Sequence, residues 1–508
     1  MEYLGLQIQP ERDNLFDTLG IKRLKESYMK DDEESPQQRF AFVAKAFGSN
    51  PEHAQRLYDY ASKHWLSFAT PILSYGKSKK GLPISCFLSY MQDSASGLVD
   101  TLSEVNNLSM LGGGVGIGVD IRSADDKSVG VMPHLKIYDA SCLAYRQGKT
   151  RRGSYAAYLR IDHPDVLMFL EMRKPTGDQN VKCLNLHHGI ILTDKFMSII
   201  EQCMVDPEFD DSWNLYDTHN PEKIRETVSA KELWQKILEL RMQTGEPYIL
   251  FIDTANEQMP DFQKNLGLSI KQSNICSEIV LPTDGERTAV CCLSSVNLRY
   301  YDDYKSNHIF FRDIAEMLDN VLTVFIENAP DSISRAKYSA MRERAIGVGV
   351  LGFHTYLQQN DIPFECALAK SRNMQIFANI RTHLDKANHD LGFDRGNCPD
   401  FEEGMIEKNG QYKRFSHLMA IAPTASTSII MGNISPSIEP IRANAYRQDT
   451  MSGSHLNKNH VLDELIKKKI DENTKIDYDA IWLDIISNDG SIQHMDIFTD
   501  DEKEIFKT

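Results

Sequence analysis

The sequence predicts an α/β protein built on a largely parallel sheet. From about residue 80 onward, short apolar segments alternate with helical patterns of roughly 10–15 residues, the rhythm of βα units. Hydrophobic residues make up 41% of the 508 and charged residues 25%, an ordinary globular balance. Neither an internal repeat nor a low-complexity tract interrupts the pattern. The length suits about three ordinary domains or one large α/β barrel, and it suffices to bury a sizeable core.

Taken in order, residues 1–75 read as mostly helical, with helix formers around 37–47 and 52–66. Buried strands are predicted at 115–121, 155–161, 189–192, 248–252, 289–298, 345–351 and 418–422, all short apolar runs. Helices are predicted at 166–173, 193–203, 232–243, 311–327 and 374–391. Ser229 followed by Glu232 is a capping box just before an apolar run. Residues 477–486 read as helix and 488–490 as a turn. Thr499 with Glu502 forms a second capping box that announces one more helix. A free helix of about two turns is marginal in water. Two readings of it stand: a frayed tail, or a polypeptide that continues on a second chain.

Charge and cysteine content exclude several classes. Asp and Glu number 72 against 56 Lys and Arg, giving −16. A chain this acidic does not coat nucleic acid, because phosphate backbones demand a basic face. No run of about 18 apolar residues suggests a transmembrane helix, and the start shows no secretory pattern. The nine cysteines are too few for a disulfide scaffold and include no CxxC pair, so cysteine-based zinc patterns are absent. A reducing, cytoplasmic setting follows as the expectation, and no metal site is predicted.

Four segments carry chemical signals. Residues 146–150, RQGKT, resemble the end of a phosphate-binding P-loop, but Leu143 stands where that motif needs glycine. The loop 147–153, with Lys149, Arg151 and Arg152, is either a solvated loop or one that touches an anionic ligand. GGGVGIG at 112–118 leads into a strand instead of opening a helix, so close packing or ligand approach fits better than a dinucleotide fingerprint. PTASTS at 423–428 offers hydroxyls and backbone N–H donors after an apolar run; it is either a plain helix cap or a phosphate site. NICSE at 274–278, if extended, puts Asn274, Cys276 and Glu278 on one face by the period of two. An amide, a thiol and a carboxylate together favour a catalytic face using cysteine chemistry over a surface strand. Cys291 follows on a strand that can lie beside it.

These segments resemble the large, catalytic subunit of class I ribonucleoside-diphosphate reductase. The resemblance rests on NICSE, AVCCLSSVNL at 289–298, PISCFL at 83–88, PTASTS, Ser437-Ile438-Glu439-Pro440, GGGVGIGVDIR at 112–122 and RAIGVGVLGFHTYL at 344–357. It runs from about residue 50 onward. NICSE resembles the class I form, whereas cobalamin-dependent relatives tend to read NPCGE. The resemblance implies a ten-stranded α/β barrel over 76–508, incomplete at its C-terminus, after the helical region 1–75. It implies that Cys276 becomes a thiyl radical and abstracts the 3′ hydrogen of a ribose. Glu278 would take the 3′-hydroxyl proton and Asn274 would hold the hydroxyls. Cys86 and Cys291 would reduce the 2′ position and close a disulfide. Cys292 should face away from the site by strand alternation. Thr70, Ser85, Thr424, Ala425, Ser426 and Thr427 would hold the substrate diphosphate. Asp93, Ser94 and Arg122 would bind an effector, ATP or a deoxynucleoside triphosphate. Gln147, Arg151 and Arg152 would sit on the loop that relays effector identity.

The resemblance also implies partners. They are a radical-generating small subunit with a metal cofactor, a second large subunit, and a thioredoxin- or glutaredoxin-type reductant. DNA and membranes are not expected. The family often begins with an ATP-binding cone and continues beyond the helix near Thr499, and the resemblance implies a chain that starts after the cone. Tyr300-Tyr301 is an adjacent tyrosine pair but follows the Cys291 segment, not the position of the family's radical-passing pair. The chain therefore resembles the N-terminal piece of a divided large subunit, as in some phage-encoded versions, inactive until a C-terminal companion joins it; an artificially shortened large subunit is the other reading. The alternatives are a catalytically degenerate nucleotide-binding relative and a glycyl-radical enzyme. The intact set of thiols, amide and carboxylate disfavours the first.

Overall fold

The computed structural model describes the chain except residues 79–80, 146–152, 218–219, 221, 408–409, 451–452 and 473–476. The N-terminal part is helical. Helix α1 (Thr18–Ser27) starts where the Asp17 side chain accepts the Gly20 N–H. Helix α2 (Pro36–Phe47) and α3 (Pro51–Ser62) begin with proline at N1, where no amide is needed. The predicted helix at 52–66 stops at Ser62. Leu66–Phe68 is instead a strand, β1, buried throughout, which joins the main sheet.

That sheet has eight strands. After β1 come β2 (Cys86–Gln92), β3 (Gly114–Asp120), β4 (Ser154–Arg160), β5 (His187–Leu192), β6 (Tyr248–Phe251), β7 (Ala289–Asn297) and β8 (Ile346–Leu351). Their order is β6-β5-β4-β3-β2-β7-β8, with β1 also on β7. Strands β2 to β6 run parallel to one another and β7 is parallel to β8; only β7 against β2 and β1 is antiparallel. The sheet curls into an incomplete α/β barrel. Helix α4 (Ala95–Met110) follows β2, and α5 (Val131–Ala144) follows β3.

Strand alternation sorts side chains between two environments. In β3, Val115, Ile117 and Val119 join the core under the helices, with Phe87 and Met91 of β2 and Val290 and Cys292 of β7. The other parity faces the interior, where Leu88, Ala289 and Cys291 cluster. Strand β2 escaped sequence reading because its inward positions are partly polar, which breaks an apolar run. The run 418–422 is not a full strand. It meets β8 through one parallel bridge, Val348 to Met419, and through N–H bonds from Ile346 and Val348 to the carbonyls of His417 and Leu418. Gly349 faces it, and a Cβ there would meet the Ala420 carbonyl at 2.5 Å.

The helix after Thr499, Asp500–Ile505, has the reciprocal capping box the sequence predicts. It is held by packing and is not frayed: Ile505 and Phe506 are buried with Trp482, Ile492 and Phe498. Around Ser229 only half of the predicted box forms, the hydroxyl accepting the Glu232 N–H. Among the described residues no helix is long and apolar enough to cross a membrane.

Candidate active site

NICSE does not form a strand; it makes a tight turn. The Ser277 N–H reaches the Asn274 carbonyl at 3.3 Å, and Ser277 adopts φ +67°, the left-handed region uncommon for a side chain-bearing residue. The turn is held by Asn274 itself. Its Oδ1 accepts N–H bonds from Glu278 and Ile279, each at 3.1 Å. Asn274 is consequently buried, Cys276 is exposed at the tip and Glu278 is half-buried. The three residues therefore share no strand face, contrary to the expectation of an extended segment; a turn holds them instead.

The loop sits against β3 because β3 has no side chains there. A Cβ on Gly116 would lie 1.9 Å from the Ser273 carbonyl oxygen, and one on Gly118 would lie 2.5 Å from Gln272 Oε1. The alternating glycines of 112–118 therefore serve close backbone packing. From β4, the Tyr158 hydroxyl donates to the Asn274 carbonyl at 2.6 Å and lies 3.2 Å from Ser277 Oγ.

Cys276 and Glu278 open onto a cavity of about 780 Å³ inside the curled sheet, a size that suits a small ligand. Cys86, the first residue of β2, lines the same cavity. Cys291 lies directly across from Cys86 in the antiparallel β7–β2 register. Directly opposed residues have Cα atoms about 4.5–5.5 Å apart, within disulfide reach. Cys292 points the other way into the outer core. Burial, with Cys86 alongside, raises the Cys291 thiol well above its ordinary range, so it is protonated at neutral pH. Burial likewise raises the Glu278 carboxyl, and the neighbouring Asn274 amide works against that rise.

Two polar atoms at the turn are buried without a protein partner: Asn274 Nδ2 and Glu278 Oε2. Because Oδ1 of Asn274 is committed to two N–H donors, the other amide atom is a donor. Leaving such groups unmet costs about 1–3 kcal/mol each. A donor and an acceptor beside a thiol fit the hydroxyls of a bound sugar.

Hydroxyls and backbone make up part of the cavity wall. Thr70, Ser85, Thr424, Ala425, Ser426 and Thr427 all line it. The PTASTS segment opens helix α6 (Ala425–Ile430), and no side chain caps its first turn. Thr424 Oγ1 instead accepts the Ser437 N–H at 2.7 Å. Arg23 and Tyr28, which the sequence did not single out, reach this wall from the N-terminal region. Arg23 Nη2 is 3.3 Å from Ser426 Oγ, and the Tyr28 hydroxyl 3.3 Å from Thr70 Oγ1.

The predicted effector residues lie elsewhere. Asp93 and Ser94 directly follow β2, whose seven residues place them roughly 20 Å from Cys86. Arg122 Nε donates to Asp93 Oδ2 at 2.8 Å, and Ser94 caps α4 by accepting the Gly97 N–H. Gln147, Arg151 and Arg152 lie outside the described residues. One trio among the described residues, His53, Asp313 and Glu316, brings metal-type ligand atoms within 4.8 Å. Its acids are committed to cations: Asp313 accepts from Arg56 at 2.7 and 2.8 Å, and Glu316 from Arg395 at 2.6 Å. The trio reads as an ion-pair network.

Comparison with known proteins agrees with this geometry. The family model described as "Ribonucleotide reductase, barrel domain" matches residues 84–414 and 404–508, and that described as "Ribonucleotide reductase, all-alpha domain" matches 14–81. The chain is 50% identical to the ribonucleoside-diphosphate reductase large subunit of Invertebrate iridescent virus 3, over 99% of this chain and 86% of that one. It is 30% identical to the large subunit of Caenorhabditis elegans, over 99% and 70%. Its structure is similar to the Actinobacillus ureae class Id ribonucleotide reductase alpha subunit, with a TM-score of 0.82, 32% identity, and coverage of 97% and 86%. The chain belongs to the ribonucleotide reductase large-subunit family, the oxidoreductases that make deoxyribonucleotides.

Proposed function

We propose that this chain reduces ribonucleoside diphosphates to deoxyribonucleoside diphosphates by thiyl-radical chemistry, with residues 76–508 as the catalytic barrel and 1–75 as its helical cover. The observation that carries the reading is a pair of buried atoms that meet no partner among the described residues, Asn274 Nδ2 and Glu278 Oε2, in the turn whose Cys276 and Glu278 line a cavity with Cys86. In this reading the Cys276 thiyl removes the 3′ hydrogen of the ribose. Asn274 donates to a ribose hydroxyl, and Glu278 takes the 3′-hydroxyl proton, burial making its carboxylate a stronger base than one in water. The 2′-hydroxyl leaves as water. Cys86 and Cys291 supply two electrons and close a disulfide, as their register permits. The 3′ hydrogen returns from Cys276. The hydroxyl wall from Thr70 and Ser85 to Thr424–Thr427 holds the diphosphate.

Partners complete the cycle. A small subunit with a metal cofactor supplies the oxidising equivalent, and a thioredoxin- or glutaredoxin-type protein reopens the disulfide. Asp93, Ser94, Arg122 and the loop with Gln147, Arg151 and Arg152 take ATP or a deoxynucleoside triphosphate. Beside that site, Val99 of α4 and Ile137 and Leu143 of α5 are exposed, which supports a dimer face formed by these helices. A companion polypeptide bearing the remaining strands is part of the reading; the sheet path from β6 to β8, which does not close, supports it.

The test uses the assembled complex. Cys276→Ser should abolish reduction of cytidine diphosphate while effector affinity stays within about twofold. Residual turnover by that variant would remove the radical role. Reduction by the purified chain with the small subunit alone would remove the companion.

A further inference from the structure

We propose that Arg23, carried on α1 outside the barrel, binds the terminal phosphate of the nucleotide and gives the site its preference for a diphosphate; this rests on the substrate reading above. The wall that faces the phosphates is built from uncharged groups, the hydroxyls of Thr70, Ser85, Thr424, Ser426 and Thr427 with the backbone at the start of α6. A cation beside such a wall adds charge-assisted hydrogen bonds to a multiply charged diphosphate. Two reach the cavity among the described residues, Arg23 and Lys77. Lys77 Nζ donates to the Glu26 carbonyl at 3.1 Å. No carboxylate pairs with Arg23 among the described residues. Its Nη2 touches Ser426 Oγ at 3.3 Å, so the guanidinium is anchored at the phosphate wall with other donors left.

The placement is built into the fold. Gly20 lets α1 press on α6: a Cβ there would stand 3.1 Å from the Ile429 carbonyl oxygen and 3.6 Å from Ile430 Cα. Arg23 lies one turn further along the same face of α1. Asp17 fixes the start of that helix through the Gly20 N–H at 2.6 Å. A planar, always charged fork held over a helix start is suited to a phosphate. A terminal phosphate beyond the hydroxyl wall would meet it, whereas a monophosphate would stop short.

The experiment measures KM and kcat for cytidine diphosphate with the assembled enzyme, and binding of cytidine diphosphate, cytidine monophosphate and cytidine by the full chain. Arg23→Gln should raise KM about tenfold to a hundredfold, the value of one charge-assisted hydrogen bond or a bidentate pair, with kcat within about twofold. Its affinity for the monophosphate should change much less and for cytidine not at all. Arg23→Lys should recover part of the loss, and both variants should melt as the wild type does. An unchanged KM and an unchanged diphosphate-to-monophosphate ratio in Arg23→Gln would overturn the assignment. Failure of the wild-type chain itself to bind cytidine diphosphate would bring down the substrate reading, and the role of Arg23 with it.

Discussion

Replacing Gly116 by alanine should unseat the Cys276 loop while leaving the barrel folded. The new Cβ would stand 1.9 Å from the Ser273 carbonyl oxygen and 2.8 Å from Asn274 Cα, where real contacts stay above 3.0 Å, so the loop must retreat by about 1.1 Å. Both obstacles are backbone, and no rotamer change relieves them. They also lead straight into the turn that Asn274 Oδ1 and the Tyr158 hydroxyl hold. Overpacking of this kind costs about 1–3 kcal/mol in stability, and a misplacement of about 1 Å at a reacting group costs about a hundredfold in rate. Gly118→Ala and Gly114→Ala are graded controls. Their Cβ atoms would meet Gln272 Oε1 at 2.5 Å and Ile275 Cγ2 at 3.1 Å, both side-chain atoms. The assay is steady-state reduction of cytidine diphosphate by the assembled enzyme, with melting and effector binding measured alongside. We expect kcat to fall about a hundredfold in Gly116→Ala, less in Gly118→Ala and least in Gly114→Ala, with effector affinity unchanged. Equal losses in all three, or wild-type turnover in Gly116→Ala, would refute the seating of the loop on β3.

Two further outcomes follow from burial. Cys292 lies in the outer core with its back to the cavity, so Cys292→Ala should lower stability by about 1 kcal/mol and leave turnover intact; loss of reduction without loss of stability would mean that the strand parity is misread. Glu343 is fully buried against Ser339 and Gln263, and burial pushes its carboxyl up to about 7. The unfolded chain gives up that proton near 4.5, the ordinary glutamate value, whereas the fold keeps it to about 7. The stabilising contribution is thus complete below the lower value and lost as pH rises through the upper one. The melting temperature of the wild type should fall relative to Glu343→Gln across that interval, and a constant difference would refute the assignment.

What the sequence made legible is chemistry, and what it concealed is long-range placement. The parallel strands at 115–121, 155–161 and 345–351 emerge within one residue of β3, β4 and β8, because their outward faces are apolar and give each a continuous buried run. Strand β2 was missed because polar residues break both of its faces, Cys86, Tyr90 and Gln92 on the inner one with Leu88, and Ser89 on the outer one between Phe87 and Met91. NICSE announced its residue types correctly but not its geometry. Its turn depends on hydrogen bonds from the Asn274 side chain and on room left by Gly116, which no window on 274–278 contains. Arg23 is the extreme case. It lies 403 residues from Ser426, on a helix with ordinary charged composition, and nothing around it distinguishes it from Lys22 or Lys25. Only the packing of Gly20 on α6 turns a surface-type arginine toward Ser426 and the other hydroxyls of the cavity. A reactive group betrays itself by its neighbours in sequence when the chemistry needs several of them on one short loop, as at 274–278. A group that only balances charge needs a single side chain at the right place, so any element that folds against the cavity can supply it.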